Sequence, residues 1–318
     1  MTDALSTLLD DVRPRGALFE RSAPAGEWSL RFGGSRPLAL AAMLHGEGWI
    51  TAEGQAPIAL GTGDVAVVVG SAPYTISSAP GVAPTVLVGE GNRCTTADGR
   101  QLEELTAGCA DGAPGSDVLL TGTYQVRGSV CDRILQGLPP VLVVRADELP
   151  YPVVGIVAAE LGRPRPGRQA VLDRLLDLLL VTTLREWLDR PGSGAPAWYH
   201  AQHDPVVGTA LRLMHDDPAH AWSVAELARR SAVSRSAFAR RFTELVGEPP
   251  MSYLACWRLW LAADQLAQTD DTVDAIARRV GCANAYALSV AFKRVYGIRP
   301  GEHRIAAGSR RDAERASA

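Results

Sequence analysis

The chain has 318 residues, of which 47% are apolar and 21% charged, figures that suit about two globular domains with separate cores. They exclude a fibrous or collagen-like chain, a minimal disulfide scaffold and a wholly disordered one. The net charge of −3 hides an uneven split, since residues 1–199 carry 16 basic against 22 acidic side chains and residues 200–318 carry 16 against 13; a basic last third permits a nucleic-acid partner without requiring one.

Residues 1–11 lack the basic start and small-residue cleavage site of a signal peptide. No apolar run approaches the ~18 residues of a membrane span. A cytoplasmic location with no membrane partner is therefore expected. From residue 25 to 144 the chain reads as short β-runs, at 28–32, 38–44, 48–50, 57–60, 65–69, 74–76, 85–88, 118–126 and 140–144, separated by turn signals such as Gly61-Thr62-Gly63-Asp64. Many short strands without βαβ alternation indicate an antiparallel barrel or sandwich.

After Leu149 the period becomes helical. Residues 153–161 and 170–188 form a predicted helix pair, the second apolar nearly all round at Leu175-Leu176-Asp177-Leu178-Leu179-Leu180-Val181. Such a helix must bury two faces. One can cover the β-domain, and the other either meets a second chain, making a homodimer, or is buried within its own chain.

An internal duplication fills the last third. Val224-Ala-Glu-Leu-Ala-Arg-Arg230 recurs as Val273-Asp-Ala-Ile-Ala-Arg-Arg279, and each copy leads through a turn into a second helix ending in Phe242 or Phe292. The offset is 49 in the first helix and 50 in the second, so the second turn is one residue longer. Leu227/Ile276 and Phe238/Leu288 become equivalent core positions, and Ser234 and Asn284 equivalent caps. Short helix, tight turn and second helix describe a helix-turn-helix. A helix over 249–269 connects the copies, and ~20 residues rise ~30 Å, close to the ~34 Å of one DNA turn.

The run Trp222-Ser-Val-Ala-Glu-Leu-Ala, Ser234-Arg-Ser-Ala-Phe-Ala-Arg-Arg-Phe242, Val246-Gly247-Glu-Pro249-Pro-Met-Ser-Tyr253, Ile276-Ala277, Gly281 and Ala291-Phe-Lys-Arg-Val-Tyr-Gly297-Ile-Arg-Pro300 with Arg304 closely resembles the AraC/XylS family of bacterial transcriptional regulators over about residues 204–305. Gly63-Asp64, Leu138-Pro139-Pro140, Arg174-Leu175, Leu184-Arg185, Trp198 and Asp204-Pro205 resemble, more loosely, the subgroup with a cupin-type regulatory barrel. The resemblance implies an α+β chain: a cupin-like antiparallel β-barrel at 1–149, a helical dimerisation segment at 150–190, a linker at 191–203, an all-α double helix-turn-helix domain at 204–307 and a disordered tail at 308–318. It implies binding to double-stranded promoter DNA, commonly activation through RNA polymerase, and a barrel that senses a small-molecule or redox signal.

Carried over by position, the base-facing residues of the first copy are Ser236, Ala239 and Arg240, with Ser234 and Arg235 at the helix start. Arg240 is the strong reader, able to make a bidentate contact to guanine. Arg235, Arg241, Lys293 and Arg294 are expected at phosphate or in solvent. The second copy departs from the family pattern at Cys282, Ala285-Tyr286-Ala287 and Val290, leaving Asn284, Tyr286 and Ser289 as polar candidates and Val290 as a thymine-methyl contact.

In the barrel segment His45 is the lone histidine, with Glu47 two residues on and Tyr74 where similar sequences often carry histidine, so no metal or other cofactor is expected and the three are effector-site candidates. The five cysteines are odd in number and lack CxxC spacing, which argues against a disulfide framework or zinc site. Cys94, Cys109 and Cys131, in or beside loops, are redox candidates, whereas Cys256 and Cys282 suit the core of the helical domain. Nucleophile and phosphate-loop fingerprints are missing, so the chain is not expected to be an enzyme. The alternative is a cupin-type barrel enzyme fused to a DNA-binding module.

Overall fold

The structure is a computed structural model that describes residues 13–21, 27–33, 38–89, 94–102, 117–125, 135, 137–161 and 166–316. The described residues divide into two compact units, 13–125 with 138–194, and 195–316 with 135 and 137.

The first unit holds twelve strands among the described residues: β1 (Arg13–Arg21), β2 (Ser29–Phe32), β3 (Leu38–His45), β4 (Gly48–Ala52), β5 (Ile58–Leu60), β6 (Val65–Val69), β7 (Tyr74–Ser77), β8 (Val86–Val88), β9 (Cys94–Thr96), β10 (Gln101–Leu102), β11 (Val118–Gln125) and β12 (Val141–Val144). They form a five-stranded sheet, β1-β11-β3-β6-β12, and a seven-stranded sheet, β10-β9-β8-β2-β7-β4-β5. Neither sheet closes. The expected barrel is thus corrected to two open sheets, with β1, β12, β10 and β5 as edges. The pairing is also not wholly antiparallel, because β2 and β8 run parallel with Leu30 opposite Val86.

One apolar cluster joins the sheets, drawing Leu30, Phe32, Ile50 and Ile76 from the larger and Ala39, Ala41, Met43, Val68 and Leu119 from the smaller. Strand β3 is buried along both faces up to its last residue. Its alternate residues Leu38, Leu40 and Ala42 lie outside that cluster yet are fully buried, as expected of a strand covered on both sides.

The cover is helical. Helix α1 (Val153–Leu161) and helix α2 (Arg168–Leu188) pack on each other, α1 meets β3, and α2 meets β1, β6 and β12. Tyr124 of β11 donates its hydroxyl to the Leu176 carbonyl at 2.9 Å. A side chain at Gly122 would begin 3.4 Å from Leu176, so the glycine lets helix and sheet approach closely. Leu172, Leu176, Leu179, Leu180, Leu184 and Leu188 are buried within the unit, leaving Val171 and Leu178 exposed. Near the end of the unit Asp64 accepts from the Gly61 and Ala146 amides and from Arg145 at 2.7 Å, fastening the 61–64 turn beside β12.

The second unit is helical: α3 (Ala197–Ala201), α4 (Val207–Asp216), α5 (Val224–Arg230), α6 (Arg235–Val246), α7 (Pro250–Gln268), α8 (Val273–Arg279), α9 (Ala285–Tyr296) and α10 (Pro300–Ala316). Two expectations shift here. The linker at 191–203 contains α3, and α10 continues through 308–316 where a disordered tail was expected. Among the described residues, no helix is long and apolar enough to cross a membrane.

Candidate nucleic-acid interface

The duplication read from the sequence is present in three dimensions and extends further than the helix pairs. Helices α5 and α8 match at an offset of 49, α6 and α9 at 50, and the prolines that open α7 and α10 also at 50. Ser223 and Thr272 cap α5 and α8 by accepting the Glu226 and Ala275 amides. Ser234 and Asn284 do the same for α6 and α9 through the Ala237 and Ala287 amides. A capping oxygen fixes where a helix begins, so the start of each outward helix is locally determined.

The two turns solve one problem differently. Ala232 and Gly281 occupy the same place, with φ of 57° and 79°. A Cβ at Gly281 would lie 2.8 Å from the Ala219 Cα and the Pro218 carbonyl oxygen, so the second turn admits no side chain. The first turn tolerates alanine at some backbone cost.

Phe238 and Phe242 turn inward from α6, and Phe242 meets Tyr253 of α7 edge-on at 5.8 Å. Tyr253 bonds His215 at 2.7 Å, and the His215 ring stacks on Trp257 at 4.0 Å. Burial pushes the Tyr253 hydroxyl well above its ordinary value. In the second copy Leu288 and Phe292 of α9 pack with Ile276, Ala277 and Val280, and with Leu259, Ala262, Ala263 and Leu266 of α7. Helix α7 therefore serves both cores, and its 19 residues span about 28 Å.

With those faces buried, the opposite faces are fixed. On α6, Arg235, Ser236 and Arg240 are exposed and Ala239 half-buried. Arg240 is held by a loose pairing with Glu244 at 3.7 Å, both side chains mostly exposed. On α9, Tyr286 and Val290 are 79% and 54% exposed, with Lys293 and Arg294 exposed a turn later. Ser289 donates its hydroxyl to the Ala285 carbonyl at 2.7 Å and so faces its own helix.

Arg241 lies apart from that group. Its side chain is half exposed, as expected, but it is also paired, gripping Asp204 through Nε at 3.0 Å and Nη2 at 2.5 Å. Asp204 also accepts the Val206 and Val207 amides at the start of α4. The Arg241 guanidinium, followed by those amides, holds the Asp204 carboxyl down at about 2. Arg258 was also missed by sequence reasoning: it donates to the Pro218 and His220 carbonyls, tying α7 to the segment ahead of α5. Burial lowers its pKa and raises that of Cys282 nearby, which the Arg258 charge opposes. Cys256 and Cys282 are half-buried.

In the first unit the candidate residues do not converge. His45 and Glu47 are exposed at the end of β3 and just beyond it, whereas Tyr74 is buried in the other sheet and stacked on Phe32 at 4.6 Å. They are not one pocket. Cys94 is the first residue of β9 and is buried, which takes it out of contact with solvent, and Cys109 and Cys131 lie outside the described residues. No group of three histidine, cysteine or acidic side chains able to hold a metal occurs among the described residues.

A β-sandwich unit followed by a duplicated helix-turn-helix, with arginines exposed on the outward helices, defines a DNA-binding transcription regulator with a separate N-terminal unit. A family model described as Cupin matches residues 3–189, and one described as Helix-turn-helix domain matches residues 227–305. An AraC-like transcription regulator of Streptomyces lividans is 34% identical over 308 residues, covering 95% of this chain and 98% of its own, and one of Streptomyces antibioticus is 33% identical with the same coverage. The chain belongs to the AraC family of transcriptional regulators. It is also similar to the crystal structure of the DNA-binding domain of AdpA, a global transcriptional factor, in complex with a target DNA, at 32% identity, 34% of this chain, 97% of that one and a TM-score of 0.33.

Proposed function

We propose that the chain controls transcription by docking on one face of a promoter duplex, with α6 and α9 in successive major grooves. The observation that carries this is the pair of capped helices set at the two ends of the 19-residue α7, a length close to the ~34 Å of one DNA turn. In this reading Arg240 contacts guanine O6 and N7, Ser236 and Ala239 line the groove beside it, and Arg235, Lys293 and Arg294 neutralise phosphates. Ser234 and Asn284 hold the helix starts against the backbone. Footprinting with the full chain should show two protected segments about one turn apart; protection of a single segment would contradict two-groove docking.

The N-terminal unit receives the controlling signal, a small molecule or an oxidant, and the chain regulates without catalysing. The reading assigns no residue to that signal, because His45, Glu47 and Tyr74 lie apart. It places the protein in the cytoplasm, at DNA, as a homodimer that recruits RNA polymerase. Support for the dimer comes from the apolar residues left exposed on α1 and α2, namely Ile156, Val171 and Leu178. Sedimentation at micromolar concentration tests it, and Leu178→Glu should shift the chain to monomer. A wild-type monomer would remove this part of the reading.

A further inference from the structure

The two outward helices carry opposite chemistry at matching positions. At the offset of 50, Tyr286 stands where α6 has Ser236, Ser289 where it has Ala239, and Val290 where it has Arg240. Tyr286 and Val290 are one helical turn apart and share a face. That face points away from the core, since Leu288 and Phe292 are fully buried on the other side.

Two of the polar atoms nearby are already engaged, which leaves the Asn284 side-chain amide NH2 ahead of the helix and the Tyr286 hydroxyl as the hydrogen-bonding groups. The Ser289 hydroxyl proton goes to the Ala285 carbonyl, a common local bond for helical serine. The Asn284 side-chain oxygen accepts the Ala287 amide. What α9 offers a base edge is therefore the Val290 methyls, the Tyr286 ring with its hydroxyl, and the small side chain of Ala287. Arginine is absent from the central turn, and Lys293 and Arg294 lie towards the helix end. In a B-DNA major groove the apolar feature a helix can meet is the thymine 5-methyl group.

We propose that α9 is a thymine-methyl reader: Val290 and Tyr286 pack on the 5-methyl groups of thymines in the second half-site, while α6 reads guanine in the first. This rests on the docking of both helices proposed above. The bipartite site is then chemically lopsided, one half selected by hydrogen bonds and the other by apolar contact.

The test uses the full chain and a site obtained by selection from random duplex. Thymines of the second half-site are replaced one at a time by deoxyuridine, which differs only in lacking the 5-methyl group. Affinity should fall about three- to fivefold at each contacted methyl, the scale of burying one methyl-sized apolar group. Val290→Ala should reduce the discrimination between thymine and uracil at one position to about onefold. Its salt dependence should stay unchanged, because no charge is lost. Since Val290 is exposed, the variant's fold is checked by retained protection of the first half-site. Equal affinity for the thymine and uracil duplexes, with both segments still protected, would overturn the proposal. Loss of the second protected segment on every duplex would instead overturn the docking on which it rests.

Discussion

Replacing Asp204 by Asn keeps the shape and the Oδ1 acceptor for the Val206 and Val207 amides but removes the charge that faces Arg241. The carboxyl sits at about 2 against an ordinary 3.8, a difference that corresponds to about 2.4 kcal/mol at 1.36 per unit. Because half of the Arg241 side chain is exposed and the variant keeps the two amide bonds that share in the shift, solvent screening leaves about 0.5–1 kcal/mol for the charge itself. The sign follows from the lowered value. The contribution is complete above the ordinary carboxylate range, about half remains near pH 3, and it disappears as pH falls through 2. Urea unfolding of residues 195–318, which carry their own cores, followed by tryptophan fluorescence at about pH 7, 5 and 3, should give a deficit in Asp204→Asn that is equal at the first two and smaller at the third. A deficit below about 0.3 kcal/mol at pH 7, or one unchanged at pH 3, would refute the assignment of the clamp as a stabilising charge pair.

Arg240→Ala should cost about 1–3 kcal/mol on a selected site and relax preference at one guanine; an equal loss on scrambled duplex would make Arg240 a phosphate contact. Lys293→Ala should weaken all sequences alike and lower the slope of log K against log salt by about one, read from titrations at several salt concentrations. Ala232→Gly should raise the unfolding free energy by up to about 1 kcal/mol by releasing the left-handed alanine. Gly281→Ala should lower it by about 2 kcal/mol or more, as strain and the contact with residues 218–219 combine. Equal small effects at the two positions in thermal melts would refute the distinction between the turns.

The helical unit was readable because its determinants are local. A serine or asparagine ahead of an amphipathic run, a change of offset from 49 to 50, and phenylalanines at fixed spacing each act within one turn or one helix. Nine strand positions were readable for the same reason, whereas β1, β9 and β10 were not among the runs read from the sequence. Whether the sheets close was not, since β1 meets β11 across about a hundred residues and the parallel partnership of β2 with β8 leaves no mark on alternation. Asp204 and Arg241 are 37 positions apart, so nothing local distinguishes this arginine from its neighbour Arg240, which has no such clamp. The Asp204-Pro205 pair ahead of α4 was the available signal, being a cap pattern with a carboxylate to spare. Tyr74 misled because its aromatic ring suits a pocket and a core equally, and Phe32 settles it as core.

The sharing of α7 has a dynamic consequence. Tyr253, Leu254 and Trp257 at one end and Ala262, Ala263 and Leu266 at the other are all buried, so neither half can melt completely without stripping cover from part of this helix. The first half is filled by Phe238, Phe242, Tyr253, Trp257 and Trp260, the second mainly by aliphatic side chains around Phe292. Larger apolar area gives the first half the higher opening energy. Hydrogen exchange should follow that order, with α9 amides exchanging through a cheaper local opening than those of α6, and the middle of α7 exchanging last. Should exchange follow that order, the half around α9 is the one with more order to gain when the helical unit meets a duplex.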